Sequence, residues 1–158
     1  IRHVPESLRA LGELITTHAN EEQFDFNVLY EDYKRGGGRK ALDSLQRNPG
    51  GEALNSFMYA SARSSDAHAL LGAIFINEGT GQKMIPLLLP KIKEVLGVQL
   101  NAFKFLEYHG ENDQRHLERW LMAIEICLAA DPQAAPKILR MAKSVAELYS
   151  LQWELVNL

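Results

Sequence analysis

"EYHGENDQRHLERW", residues 107–120, sits between two apolar runs and decides how the chain is read. As a helix it puts His109, Asp113 and His116 at i, i+4 and i+7, so that three ligand side chains project from one stripe. Phe105, Leu106, Leu117, Trp120 and Leu121 flank them at spacings that suit a core-facing surface. Two imidazoles and a carboxylate taken out of water need hydrogen bonds, ion pairs or a metal to offset desolvation. A metal satisfies all three together. The plain alternative is a solvated helix with an Asp113 to His109 pair and no function.

Outward from this stretch, helical periodicity dominates and strand-like alternation bounded by hairpin turns is nowhere evident, so the fold class is all-α. One helix is expected from about 5 to 35, with Pro5 in its first turn and Leu8, Leu11, Leu14, Ile15, Phe24, Val28 and Leu29 as its apolar positions. "RGGGRK", residues 35–40, ends it as a loop or an edited gap, because three glycines carry a large entropic cost in a helix. "PGGEALNSFMYASA", residues 49–62, reads as a short helix. "SSDAHALLGAIFINEG", residues 64–79, reads as another, begun by Ser64, Ser65 or Asp66 and stopped at Gly79 and Gly81. "KMIPLLLPKIKEVLG", residues 83–97, is kinked or starts at Pro86, and ends at Gly97. The longest clean segment runs from about 99 to 130. Asp131 and Pro132 then open a last helix, with Ile138, Leu139, Val145, Leu148, Leu151 and Leu155 as its apolar stripe.

A chain of 158 residues, 46% of them apolar, can bury one ordinary core, and no composition shift divides it, so residues 1–158 are expected to form a single helical domain. It opens at Ile1, already close to a helix start and with no initiator methionine. The expectation is a piece of a longer chain that lacks N-terminal or loop segments. A net charge of -3 with both signs interspersed gives no basic stripe for nucleic acid. The single cysteine, Cys127, sits among Ile124, Ile126 and Leu128 and reads as a buried thiol in a reducing compartment. No apolar stretch approaches a membrane span and none has a signal-peptide flank; the expected location is cytoplasmic, with no membrane partner.

Other ligand sources join the 107–120 stripe. "HANEEQFD", residues 18–25, gives His18, Glu22 and Asp25 the same i, i+4, i+7 spacing. Glu21 lies about 100° around the helix from Glu22, so at most one of the two should be well aimed and the other solvated. Glu78 ends an apolar segment where a lone carboxylate is expensive, unless it reaches solvent from a helix end. His68 reads as an ordinary satisfied or exposed histidine. This set has no thiolate, which excludes thiolate-rich zinc and iron–sulfur patterns and suits iron or manganese. Four-helix dimetal carboxylate proteins use Glu-x-x-His pairs, and this chain has none.

"EEQFDFNVLYEDYKRGG" (21–37), "LLGAIFINEG" (70–79) and "YHGENDQRH" (108–116), in this order and at these separations, resemble the haem-oxygenase-like diiron oxidases, also called iron-containing redox enzymes. The resemblance implies a haem-oxygenase-like helical bundle without haem, holding two irons between three core helices and activating dioxygen. His109, Asp113 and His116 match the family's His-x3-Asp-x2-His, and Glu78 matches its single core-helix glutamate. The first core helix departs from the common Glu-Glu-x-Gly-His-Asp: Asp25 replaces the usual histidine, and His18 sits where some members carry a glutamate. Glu22 matches a position that other members use.

The ligand set so implied is His18, Glu22, Asp25, Glu78, His109, Asp113 and His116, for two irons per chain with manganese as the other fitting metal. The implied partners are dioxygen and a small-molecule substrate, oxidised at an amine nitrogen or cleaved at a carbon–carbon bond; a homodimer is allowed. Two other readings predict no metal. One is a cofactorless enzyme on the same bundle, of the thiaminase or quinone-cofactor-forming type. The other is a non-enzymatic helical interaction module.

Overall fold

The computed structural model describes residues 6–97 and 101–156, with side chains at all of these except 7, 8, 112 and 113. Among the described residues there is no strand, and the fold is all-α. The helices are α1 (Glu6–Glu22), α2 (Asp25–Arg35), α3 (Pro49–Ala62), α4 (Leu70–Leu96), α5 (Lys104–Ala130) and α6 (Ala135–Glu154), with short 3-10 turns at Leu42–Ser44, Ala67–Ala69 and Pro132–Ala134. No described helix is long and apolar enough to cross a membrane.

The chain divides into two compact units. One comprises Ile1–Gly12, Gln46–Asn77 and Arg119–Leu158, the other Glu13–Leu45 and Glu78–Glu118.

In the first unit, small residues let backbones approach. A Cβ on Gly72 would lie 2.2 Å from the Ile138 carbonyl oxygen, and one on Gly50 would lie 2.6 Å from the Gln152 main chain. Helices α4 and α3 therefore meet α6 with no side chain between them at these points. Asn48 fastens the second contact: its Oδ1 accepts the Gly51 N–H at 2.8 Å as the cap of α3, and its Nδ2 donates to the Gln152 carbonyl at 2.7 Å. Leu71, Ala73, Trp120, Ala123, Cys127, Ile138 and Val145 are buried in this unit. Burial also pushes the Cys127 thiol up from its ordinary pKa, with Asp131 adding to the effect. Asp131 caps the turn into α6 by accepting the Gln133 N–H at 3.0 Å, as its pairing with Pro132 suggested. In the α6 stripe Ile138 and Val145 are buried, whereas Leu139 and Leu151 are exposed.

In the second unit, "RGGGRK" is a closed turn. Gly37 takes φ +95°, and Gly38 lies so close to Tyr33 that a Cβ would fall 2.3 Å from the ring. The Lys40 N–H donates to the Tyr33 hydroxyl at 3.1 Å, and the Tyr30 hydroxyl donates to the Lys40 carbonyl at 3.2 Å. The same unit brings α4 and α5 together where Gly110 passes Ile85.

Several expectations are corrected. The single helix of 5–35 is two helices, because the chain turns at Gln23 and Phe24 before Asp25 begins α2. No glycine or proline marks that break. Carboxylates at the C-terminal end of α1 oppose its dipole, while Asp25 in the first turn of α2 suits the new N-terminus. The apolar positions Phe24, Val28 and Leu29 are exposed. Gly79 and Gly81 do not stop α4, which also runs through Pro86 and Pro90 to Leu96. A glycine costs a helix only about 1 kcal/mol, so packing overrides it. Ser64 and Ser65 do not cap α4; Asp66 precedes the turn at Ala67–Ala69, and its carboxylate accepts from Lys137 instead. The end at Gly97, with φ +91°, is where the sequence placed it. Helix α5 ends at Ala130 as expected but begins at Lys104.

Candidate metal centre

The second unit draws together side chains from α1, the start of α2, α4 and α5. His18 lies one turn before the end of α1, Glu21 and Glu22 are its last two residues, and Asp25 is the first of α2. Glu78 stands within α4, 8% exposed, although its neighbours give a carboxylate no local reason to be buried. A reach to solvent from a helix end is thereby excluded. His109 and His116, two turns apart on α5, are both buried, His116 completely.

These groups alternate. His18 Nε2 lies 3.2 Å from Glu78 Oε1, and Glu78 Oε2 lies 3.5 Å from His116 Nδ1. Glu22 Oε1 is 3.3 Å from the same nitrogen, while its other oxygen is 4.0 Å from His109 Nε2. Asp25 Oδ2 completes the row at 3.1 Å from His109 Nε2. Each of Glu78 and Glu22 therefore turns one oxygen toward each of two histidines. Within this row two groups of three have the compactness of metal sites: His18, Glu78 and His116, all buried, and Glu22, Asp25 and His109, more open. In each group the ligand atoms lie within 4.8 Å of one another.

The electrostatics favour a cation. The Glu22 carboxyl is pushed up from 4.5 to about 7, chiefly by burial, then by its hydrogen bond to Asp25 and the charge there, with Glu78 adding and His109 opposing. Glu22 Oε1 and Asp25 Oδ2 are buried without a hydrogen-bond donor. Glu21, Glu22, Asp25 and Glu78, when ionised, carry the charge of two divalent cations with the sign reversed. The donor set of imidazole and carboxylate fits iron, with manganese as a second candidate.

His18, Glu22, Asp25, Glu78, His109 and His116 are thus brought together, though not as the sequence grouped them: His109 and His116 fall in different trios. Asp113 lies on α5, but its side chain is outside the described residues. Of the adjacent glutamates, Glu22 enters a trio, whereas Glu21 is exposed and in neither, as the 100° offset suggested, although its Oε2 comes within 3.5 Å of His116 Nε2. His68 stands apart, in the 3-10 turn of the first unit.

Tyr108 was not singled out from the sequence. Its ring meets His109 edge-on, with centroids 5.4 Å apart, and its hydroxyl pKa is raised by burial, then by Asp25 and Glu22. An aromatic residue beside a polar stripe was the available signal. A cleft of about 600 Å³ in the first unit, lined by Asn48, Leu54, Met58, Tyr59, Asn77 and Trp153 among others, includes none of the metal-site residues.

A sequence model described as iron-containing redox enzyme matches residues 7–150. Neither the curated proteins nor the solved structures gave a match.

Proposed function

This chain belongs to the iron-containing redox enzyme family, and we propose that it is a non-haem oxidoreductase that binds two irons and uses dioxygen to oxidise a small organic substrate. The reading is carried by the alternating row of His18, Glu78, His116, Glu22, His109 and Asp25. His18, Glu78 and His116 would hold one ion, and Glu22, Asp25 and His109 the other. Iron held there would supply the electrons and Lewis acidity that dioxygen chemistry requires.

The chain's own contribution is to preorganise the donors. Burial of His116 and Glu78 keeps water from the first trio, which strengthens every electrostatic interaction within it. Glu22, placed between two histidines, ties the two trios and holds a proton near neutrality until a cation displaces it. Oxidation of an amine nitrogen and oxidative cleavage of a carbon–carbon bond are the two reaction classes that the family resemblance suggests. A cofactorless enzyme or an interaction module would leave this row without a task.

Iron per chain, measured after anaerobic loading with ferrous ion and removal of excess, tests the proposal. About two ions per chain, with dioxygen consumption that depends on them, is the expected result. Iron content that stays below one, or that His116→Ala leaves unchanged, would overturn it.

A further inference from the structure

Asp32 is only 5% exposed, and both of its carboxylate oxygens are engaged. Oδ2 accepts the main-chain N–H of Phe105 at 2.7 Å, and Oδ1 accepts from Arg35 Nη1 at 3.3 Å. Phe105 is the second residue of α5, so Asp32 takes up one of the four N–H groups that a helix start leaves without an intrahelical partner. Its charge also stands at the positive end of the helix dipole. Such a cap ordinarily comes from the residue just before the helix. Here that residue is Phe103, whose side chain has no acceptor, and the cap arrives from α2, 73 positions away in sequence.

The residue so held faces the candidate metal centre. The ring of Phe105 packs on the imidazole of His109 with centroids 4.3 Å apart and planes at 51°. His109, one turn further along α5, carries the nitrogen that faces Asp25 and Glu22. His116 lies three turns from the cap and belongs to the other trio. A displacement of the first turn of α5 would move His109 directly and would be damped before it reached His116.

We propose that Asp32 is a positioning residue for the metal site built on His109: it fixes the main chain at the start of α5, and through the Phe105 ring it sets the imidazole against Asp25 and Glu22. The inference rests on the reading of the two trios as metal sites. It assigns Asp32 to one of them and not the other, which a cap that merely stabilises the fold would not do.

Anaerobic titration of the metal-free full chain with Co²⁺, followed by visible absorption, tests this. The binding step that His109→Ala removes identifies the site in question. Asp32→Ala is expected to weaken that step by about 10-fold to 100-fold, the cost typical of losing an outer-shell partner, and to leave the other step within about threefold. Asp32→Asn keeps an acceptor for the Phe105 N–H and should restore most of the affinity. Equal weakening of both steps, no weakening of either, or an Asn variant as poor as Ala would overturn the positioning role while leaving the metal reading intact. A wild-type chain that takes up no Co²⁺ would sink the metal reading, and the inference with it. Should Asp32→Ala fail to fold, Phe105→Leu keeps the capped N–H and removes the ring. It is expected to weaken the same step, and unaltered binding would overturn the route through the ring.

Discussion

Glu22 Oε1 stands 3.3 Å from His116 Nδ1, and this approach joins the end of α1 to the middle of α5. The same side chain points its second oxygen toward His109, so it is shared between the two trios where Asp25 belongs to one. Glu22→Ala should therefore weaken both binding steps in a Co²⁺ or Fe²⁺ titration. Asp25→Ala should weaken one, each by at least the tenfold or so that an outer-shell loss costs. Identical profiles for the two variants would deny Glu22 its intermediate place.

The raised Glu22 carboxyl makes a signed prediction about pH. Between its ordinary 4.5 and about 7 the folded chain binds more protons at this group than the unfolded chain does. The stability that this group contributes to the metal-free protein is thus fully present below 4.5 and is lost as pH rises through 7. An incoming cation must expel that proton. Affinity for Co²⁺ should climb with pH up to about 7, and the climb should be shallower in Glu22→Gln. Calorimetry in buffers of different ionisation enthalpy counts the protons released.

Metal should also stabilise the chain by mass action. At free Co²⁺ about 100 times Kd, each bound ion adds about 2.7 kcal/mol. For a chain of this length that corresponds to a rise in Tm of about 5–10 °C, reversed by a chelator. Hydrogen exchange across residues 105–120 should slow in the same titration, because this segment carries both His109 and His116. Unchanged melting in wild type and in His116→Ala would count against both trios.

Gly72 tests the first unit independently of any metal. A Cβ there would collide with the Ile138 carbonyl, which is main chain and cannot rotate away. Gly72→Ala should destabilise by about 2–3 kcal/mol through overpacking. Gly12→Ala, where a Cβ would meet nothing within 4 Å, should be neutral or slightly stabilising. Denaturant midpoints for the two variants give the comparison.

The fold class and most of the candidate site residues were legible because their signal is local. Helical spacing alone puts His109 and His116 on one stripe of α5, and His18 and Glu22 on one stripe of α1, whereas Asp25 opens α2 beyond the turn. The turn at Gln23 and Phe24 was not legible, since no glycine or proline punctuates it. Gly79 and Gly81 misled in the opposite direction: they weaken a helix locally, yet the packing of α4, as where Ile85 meets Gly110, outweighs that cost, and of the two readings of Pro86 α4 excludes only a helix start. Asp32 lies between Glu31 and Tyr33 in a polar stretch and looks like one more solvated acid. Its partner is a main-chain N–H far away in sequence, which no local pattern encodes.

The ligand groups are scattered along the chain, and that has a consequence for synthesis. After α4 has emerged, a nascent chain possesses His18, Glu22, Asp25 and Glu78, but neither trio is whole until α5 delivers His109 and His116. An ion arriving earlier would find at most two partners from each trio. A metal held by these trios would therefore act as a late lock on the fold rather than a template for its first helices.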